Sequence, residues 1–89
     1  MKAVITVVGK DTVGILAKVS TICAQSNVNV SDVTQSILQD LFVMVMLVDI
    51  SKCSVTFTKL SSNLDDLGKS LGLSIKIMHE DIFNSMHKI

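Results

Sequence analysis

Two segments of the chain carry apolar residues at the spacing of an amphipathic helix. The first spans residues 13–25, and its apolar positions are Ile15, Leu16, Val19, Ile22 and Cys23. In the second, steps of three and four residues separate Phe57, Leu60, Leu64, Leu67 and Leu71. Ser54 is a favourable N-cap for this second helix, and Gly72 stands where a helix C-terminal glycine is expected. The apolar pattern therefore predicts two helices.

Strand patterns surround these two helices. They occupy residues 2–8, the stretch from the loop at 26–30 to about Leu38, residues 41–50 and residues 73–79. Gln39 and Asp40 supply a short hairpin turn between the two middle strands. The resulting order is β-α-β-β-α-β. It predicts a ferredoxin-like α+β fold, in which a four-stranded antiparallel sheet carries both helices on one face.

The third predicted strand, residues 41–50, is apolar on both faces of its pleat. A strand with one solvated face would alternate apolar and polar residues, so the face away from the helices needs a cover. A second copy of the chain or the tail at 80–89 would supply it. The tail carries an amphipathic helical stripe of Ile82, Phe83, Met86 and Ile89. We therefore divide the chain into a domain, residues 1–79, and a tail that packs on the domain or on a partner.

Composition narrows the classes of partner. The chain has 89 residues, enough for one domain, and its mean hydropathy of +0.55 favours self-association, most simply as a homodimer. The formal net charge is zero, with eight Lys and no Arg, so the chain lacks the basic field that nucleic acid requires. No stretch reaches the roughly 18 apolar residues of a membrane span, and the start has no signal-peptide cleavage pattern. We therefore expect a cytoplasmic protein without nucleic acid or membrane partners.

Catalytic and metal-binding patterns are missing from the sequence. Cys23 and Cys53 form no CxxC pair or Cys/His cluster at metal spacing, which predicts two ordinary buried thiols and no metal or cofactor. His79 and His87 have no Ser, Cys or carboxylate at a catalytic spacing. The sequence also does not support three other functions of this fold. RNA binding by base stacking needs more strand aromatics than Phe42, heavy-metal binding needs paired Cys at the first corner, and phosphate hydrolysis needs an Arg. We therefore do not expect an enzyme.

A glycine corner joins the first predicted strand to the first helix. In ITVVGKDTVGIL, residues 5–16, the turn extends from Gly9 to Gly14 and contains the carboxylate of Asp11. Backbone N–H groups at a helix start lack intrahelical partners and favour anionic or polar oxygens, which suits a small-molecule site. The alternative is structural: Asp11 or Thr12 caps the helix, and glycine allows the tight turn.

The spacing of GKDTVGIL, a helix length and then SNVNV resembles that of the ACT domain, a small amino-acid-sensing regulatory module. The chain is most similar to ACT domains of the glycine cleavage repressor type. Its tail, DIFNSMHKI, resembles that of small bacterial proteins with a single ACT domain. The likeness covers residues 1–79, and the tail extends it to the last residue. It implies a ligand held at an interface between two domains, by the first corner of one and the start of strand two.

Three positions take roles from this resemblance. It implies that Asp11 receives a ligand α-ammonium, and that backbone N–H groups near Gly14 and the Asn29 amide meet an α-carboxylate. Adjacent residues complete the implied ligand-binding set: Gly9, Lys10, Thr12, Val13, Ile15, Asn27 and Val28. The chain departs from the family at Thr12 and Val13, where many members have a basic residue followed by Pro.

These observations lead to two functional hypotheses. The first is a non-enzymatic regulatory domain that senses a small molecule, an amino acid, at a homodimer interface. The second is a ligand-independent protein–protein interaction module that regulates a separate protein through its sheet face or its tail. A small enzyme would require a cluster of His, Cys and carboxylate side chains that the sequence does not indicate.

Overall fold

The computed structural model describes residues 1–10 and 13–86. Its elements are β1 (Lys2–Lys10), α1 (Ile15–Gln25), β2 (Asn29–Leu38), β3 (Leu41–Asp49), α2 (Phe57–Leu71), β4 (Ser74–His79) and α3 (Glu80–Met86). The four strands form one sheet in the order β2-β3-β1-β4, and every neighbouring pair is antiparallel. The predicted ferredoxin-like α+β fold is thereby confirmed, with α3 added after β4.

The hydrophobic core lies between the sheet and the helices α1 and α2. Alternate residues of β1 and β3 point into it, because side chains of a strand alternate between the two faces. The core residues least exposed to solvent are Ala3, Ile5, Val7, Met44, Met46, Val48 and Ile75 from the strands and Val19, Cys23, Leu60 and Leu64 from the helices. Full burial of each large apolar side chain contributes about 1.5–3 kcal/mol.

The starts of both long helices differ from the sequence prediction. Helix α2 begins at Phe57, and the Thr56 hydroxyl oxygen accepts a hydrogen bond of 3.1 Å from the backbone N–H of Lys59. The prediction of Ser54 as the N-cap is wrong. Ser54 and Thr56 both have side chains that can cap a helix, but Thr56 is the one that lies next to the first helical turn, in the extended conformation.

Helix α1 begins at Ile15 rather than residue 13. Its N-cap is Gly14, which makes no side-chain capping bond. The N-cap position thus belongs to a residue without a side chain, and the expectation that Asp11 or Thr12 caps this helix stays a prediction. Asp11 and Thr12 themselves lie outside the described residues.

Gly68 marks the closest approach of α2 to the strand that follows it. A Cβ atom on Gly68 would lie 2.8 Å from the backbone oxygen of Leu73 and 3.2 Å from Cγ1 of Ile75. The backbone N–H of Leu73 also donates a 2.8 Å hydrogen bond to the Gly68 carbonyl oxygen, so the chain has little freedom to withdraw. Glycine at this position permits the packing of α2 on β4.

Gly68→Ala is expected to lower the free energy of unfolding by about 1–2 kcal/mol, because overpacking outweighs the better helix propensity of alanine. Urea denaturation followed by circular dichroism measures the change. Ser62→Ala, on the exposed side of the same helix, is the matched control and should leave the midpoint nearly unchanged. An unaltered midpoint for Gly68→Ala would show that the helix and β4 separate at little cost.

The sheet face away from α1 and α2, which we call the open face, is apolar. Val43, Val45 and Leu47 are half-buried there, while Leu41 of β3 and Leu38 of β2 are 40% and 64% exposed. The sequence predicted this apolar surface, because the third strand carries apolar residues on both faces. A single chain leaves much of it in contact with solvent.

Helix α3 packs against β1 and β4. On the open face, Val4 of β1 is only 3% exposed, which is consistent with cover from this helix. Phe83 is half-buried, whereas Ile82 and Met86 are 52% and 59% exposed. Ile89, the fourth residue of the predicted stripe, lies outside the described residues. The apolar side of α3 thus keeps a large solvent-exposed area in one chain.

Within residues 1–10 and 13–86, none of the helices is both long and apolar enough to cross a membrane.

Candidate functional site

Val13 and Gly14, the described part of the first corner, form an exposed turn just before α1. Gly14 has φ of +82°, a left-handed conformation that favours glycine, and its carbonyl oxygen accepts a 3.0 Å hydrogen bond from Lys18 N–H. Among the described residues, no atom beyond its chain neighbours lies within 4 Å of the place where a Cβ of Gly14 would be. Val13 beside it is 95% exposed. A ligand could therefore approach the backbone of this turn closely.

A cavity of about 240 Å³ adjoins the corner, at the first turn of α1. Gly14, Leu16 and Phe42 line it together with Gln35 of β2. Ile15, which belongs to the predicted ligand-binding set, is 3% exposed and forms part of the core. Apart from Gln35, the side chains that line the corner cavity are apolar, and Gln35 brings the edge strand β2 into its wall.

Gly9 and Lys10 close β1 next to this corner. Gly9 is paired with Phe42, and a Cβ at Gly9 would overlap the side chain of Leu73. Glycine there therefore makes room for Leu73, which is a packing reason for its presence. Lys10 is exposed and is paired with Leu41.

The second predicted segment, residues 27–29, connects α1 to β2. The Asn27 side-chain nitrogen Nδ2 donates a 2.9 Å hydrogen bond to the backbone oxygen of Lys52, and Asn27 has φ of +57°. Val28 is 6% exposed and belongs to the core. Asn29 is exposed and is paired with Asp49 of β3. Of these three residues, Asn29 has its side chain most available to a ligand.

The strand register separates the two predicted segments within one chain. At one end of the sheet, Asp49 is paired with both Lys2 and Asn29. At the other end, Leu41 is paired with both Lys10 and Leu38. Leu41 and Asp49 are eight steps apart along β3, so these ends are separated by about 26 Å at roughly 3.3 Å per residue. One chain therefore does not bring the corner and the Asn27–Asn29 segment together.

A second cavity, of about 340 Å³, lies at the Asn29 end of the sheet; we call it the Asn29 cavity. Asn27, Asn29, Asp49, Ser51 and Lys52 provide its polar lining. Hydrogen bonds from Ser51 hold the pKa of Asp49 below its ordinary value, and the N-terminal ammonium, 3.7 Å from Asp49 Oδ1, acts in the same direction. Asp49 therefore stays ionised at neutral pH.

Sequence reasoning missed Asp49, Ser51 and Lys52. A signal was present, because Asp49 ends an apolar run and the polar residues Ser51 and Lys52 follow after Ile50. Only the pairing of β2 with β3 shows that this cluster lies beside Asn29.

The thiols and the described imidazole occupy structural positions. Burial raises the pKa of the Cys23 thiol, and the nearby Cys53 adds to this effect. Cys53 is only half-buried, contrary to the expectation of two buried thiols. The ring of His79 stacks on Phe57 at a centroid distance of 4.4 Å. Among the residues that the structure describes, no group of three or more His, Cys, Asp and Glu side chains could hold a metal ion.

A four-stranded antiparallel sheet with the order β2-β3-β1-β4 and helices packed on it defines the class of small ferredoxin-like α+β domains. Within that class, the chain belongs to the ACT domain family, whose sequence model matches residues 2–78. ACT domains are regulatory modules.

Similar proteins support this assignment. The chain is 53% identical to a UPF0237 protein of Clostridium acetobutylicum over 89 residues, which cover all of both chains. It resembles the solved structure of an ACT domain protein from Streptococcus pneumoniae with a TM-score of 0.80 and 40% identity, covering 93% of each chain. A putative glycine cleavage system transcriptional repressor is similar with a TM-score of 0.74 and 27% identity, over 86% of this chain and 44% of the repressor.

Proposed function

We propose that this protein is a non-enzymatic regulatory domain that binds an amino acid at the interface of a homodimer. Each site would combine the Gly9–Ile15 corner of one subunit with the Asn27–Asn29 segment of the other. The placement of these segments at opposite ends of the sheet, joined by the 11 residues of α1 (about 17 Å), is the observation that carries the proposal, because a site containing both requires a second chain.

The edge strand β2 is the surface that we propose for dimerisation. It is ten residues long. A β-bulge lies between Val30 and Asp32, and the pairing with β3 after the bulge is regular. Natural edge strands are usually short or protected by Lys or Pro, but β2 contains neither of these residues. The opposite edge, β4, has six residues and includes Lys76. This contrast favours β2 as the edge that pairs with a partner.

Two-fold pairing of β2 with β2 of the partner would bring the separated segments together. The two strands would run antiparallel about an axis near Thr34, so the start of one lies beside the end of the other. Directly paired residues of two antiparallel strands point their side chains to the same side of the sheet. If the paired residues come from the same face in both subunits, the helices of the two subunits lie on one side of the joined sheet. Asn29 of the partner subunit would then lie near the corner that contains Gly14.

The chemistry of the two segments suits a zwitterionic ligand. In this proposal the Asp11 carboxylate receives the α-ammonium of the amino acid. Backbone N–H groups near Gly14 and the side-chain amide of Asn29 donate to the α-carboxylate. The exposure of Asn29 and the open space at Gly14 support this arrangement, since no residue among 1–10 and 13–86 blocks either group.

A thermal-shift screen of the wild type against the twenty L-amino acids tests this proposal. An amino acid at about 100 times its dissociation constant should stabilise the protein by about 2.7 kcal/mol. Asp11→Asn should keep the fold and weaken calorimetric binding at least tenfold, because the amide preserves the shape and removes the charge. Asp66→Asn, an exposed change on α2, should bind as the wild type does. Equal affinities of Asp11→Asn and the wild type would remove Asp11 from the site.

The open face favours a second candidate function, a ligand-independent interaction module. Leu38, Leu41 and Met86 each expose 40% or more of their surface, which is typical of a contact surface. A wild type that no amino acid stabilises would favour this function over amino acid sensing.

A further inference from the structure

The loop between β3 and α2 packs on the C-terminal end of α1 and carries Cys53 there. The backbone N–H of Ser54 donates a 2.8 Å hydrogen bond to the backbone oxygen of Ser26. On the other side of Cys53, the backbone oxygen of Lys52 accepts a 2.9 Å hydrogen bond from Nδ2 of Asn27. Both chain neighbours of Cys53 are therefore held against the residues that follow α1.

The second thiol, Cys23, lies in the last turn of α1 beside this loop. It stands three residues before Ser26, about 4.5 Å along the helix axis at roughly 1.5 Å per residue. Cys23 is 1% exposed and belongs to the core, and the half-buried Cys53 packs against the same core. The two thiols also interact electrostatically, because Cys53 helps to raise the pKa of Cys23. Backbone contacts, core packing and this interaction together bring the two thiols into one region of the fold.

The two thiols differ in their access to small molecules. Cys53 lines a cavity of about 180 Å³, which we call the Cys53 cavity, together with Phe57, Leu60 and His79. This volume is below the roughly 300–1,000 Å³ of sites that hold drug-sized ligands, so it suits a molecule of very few atoms. Burial shields Cys23 and raises the pKa of its thiol, which keeps it protonated. Because oxidation follows thiolate character and exposure, a small oxidant reacts with Cys53 first.

We infer that Cys53 and Cys23 together form a peroxide-reactive site, in which oxidation of Cys53 leads to a disulfide with Cys23. Cys53 loses its thiol proton, and its sulfur attacks one oxygen of hydrogen peroxide. The O–O bond breaks, Cys53 becomes a sulfenic acid, and the released hydroxide takes up the proton as water. The Cys23 sulfur then attacks the sulfenic sulfur, the S–O bond breaks, and the departing hydroxide and the Cys23 thiol proton form a second water. One peroxide molecule thus oxidises two thiols.

The disulfide would tie the β3–α2 loop to α1 by a covalent bond, at the place where hydrogen bonds hold it in the reduced protein. Asn27 at the end of α1 and Lys52 of the loop both line the Asn29 cavity, so oxidation would fix two parts of its wall relative to each other. Neither cysteine belongs to the proposed ligand-binding set. The inference therefore stands or falls independently of amino acid binding.

Alkylation after oxidation tests this inference. Reduced wild-type protein is treated with hydrogen peroxide under native conditions, catalase removes the peroxide, and the remaining free thiols are alkylated with iodoacetamide in denaturant. Intact mass spectrometry counts the adducts, and peptide mapping locates the oxidised residues. Cys53→Ser and Cys23→Ala receive the same treatment, and glutathione is the reference thiol for the peroxide dose.

We expect peroxide to remove both iodoacetamide adducts from the wild type and to yield a single chain in which the peptides of Cys23 and Cys53 are linked. Cys23→Ala should instead accumulate a sulfenic acid at Cys53, which dimedone traps, because no second thiol is present to react with it. Cys53→Ser should keep its adduct on Cys23, since the remaining thiol is buried.

The wild-type measurement decides the inference even where a variant fails to fold. A wild type that keeps both adducts at a peroxide dose that oxidises glutathione would overturn it. A trapped sulfenic acid on Cys53 of the wild type, with Cys23 still free, would overturn it as well, because Cys23 then does not complete the reaction. A covalent dimer joined through Cys53 on a non-reducing gel would likewise replace the proposed pairing with one between two chains.

Discussion

Mixed dimers of Asp11→Asn and Asn29→Ala subunits are expected to regain amino acid binding that each variant lacks alone. In the proposed dimer, each site takes its corner from one subunit and Asn29 from the other. Both variant homodimers therefore carry a defect in both sites, and loss of a hydrogen bond to a charged group weakens binding by about 10- to 100-fold. In the mixed dimer, one site collects both defects and the other is intact.

Calorimetry on differently tagged, co-expressed subunits measures this recovery. The mixed dimer should bind with wild-type affinity and half the wild-type stoichiometry. Mixing Asp11→Asn with wild-type subunits is the control, since it also leaves one intact site per dimer. No recovery in the mixed dimer, together with normal binding by that control, would show that the ligand does not bridge the two segments across the interface.

Thr34→Lys is expected to convert the proposed dimer into a monomer of 9.6 kDa and to abolish the proposed amino acid binding with it. Thr34 is exposed near the middle of β2, where the proposed two-fold axis passes. The two introduced ammonium groups would lie almost opposite each other across the paired strands, and directly opposed like charges destabilise such pairing. Lysine is also a residue that natural edge strands use to prevent pairing.

Sedimentation velocity at micromolar concentration measures the change in mass. Ser74→Lys is the matched control, because Ser74 is exposed on the other edge strand, β4, and its change adds the same charge. It should remain dimeric and bind normally. If Thr34→Lys stays dimeric while Ser74→Lys dissociates, the interface lies on β4 and the proposed site is wrong.

Particular residues show which parts of the site could be predicted. Gly14 and Gly72 were found because glycine at the ends of a helix signals a local backbone requirement, and both have positive φ angles in the structure. Asp49 and Lys52 could not be assigned, because their proximity to Asn29 depends on the pairing of β2 with β3. Thr56 and Ser54 were indistinguishable as caps, since each has the side chain that the role requires.

The sequence by itself determined the order of the elements and the fold class. Periods of two and 3.6 residues are local properties of strands and helices, and they identify the buried side of each element without knowledge of its neighbours. For the same reason, the sequence predicted that both faces of β3 are apolar.

Only the tertiary structure decided how distant residues are combined. Strand register places the Gly9–Ile15 corner and the Asn27–Asn29 segment at opposite ends of the sheet, although the chain joins them through a single helix. The packing of α2 on β4 similarly explains Gly68, whose neighbour Leu73 lies just beyond the end of the helix. Pairing and packing depend on which surfaces meet in space, and a residue pattern along one segment does not contain that information.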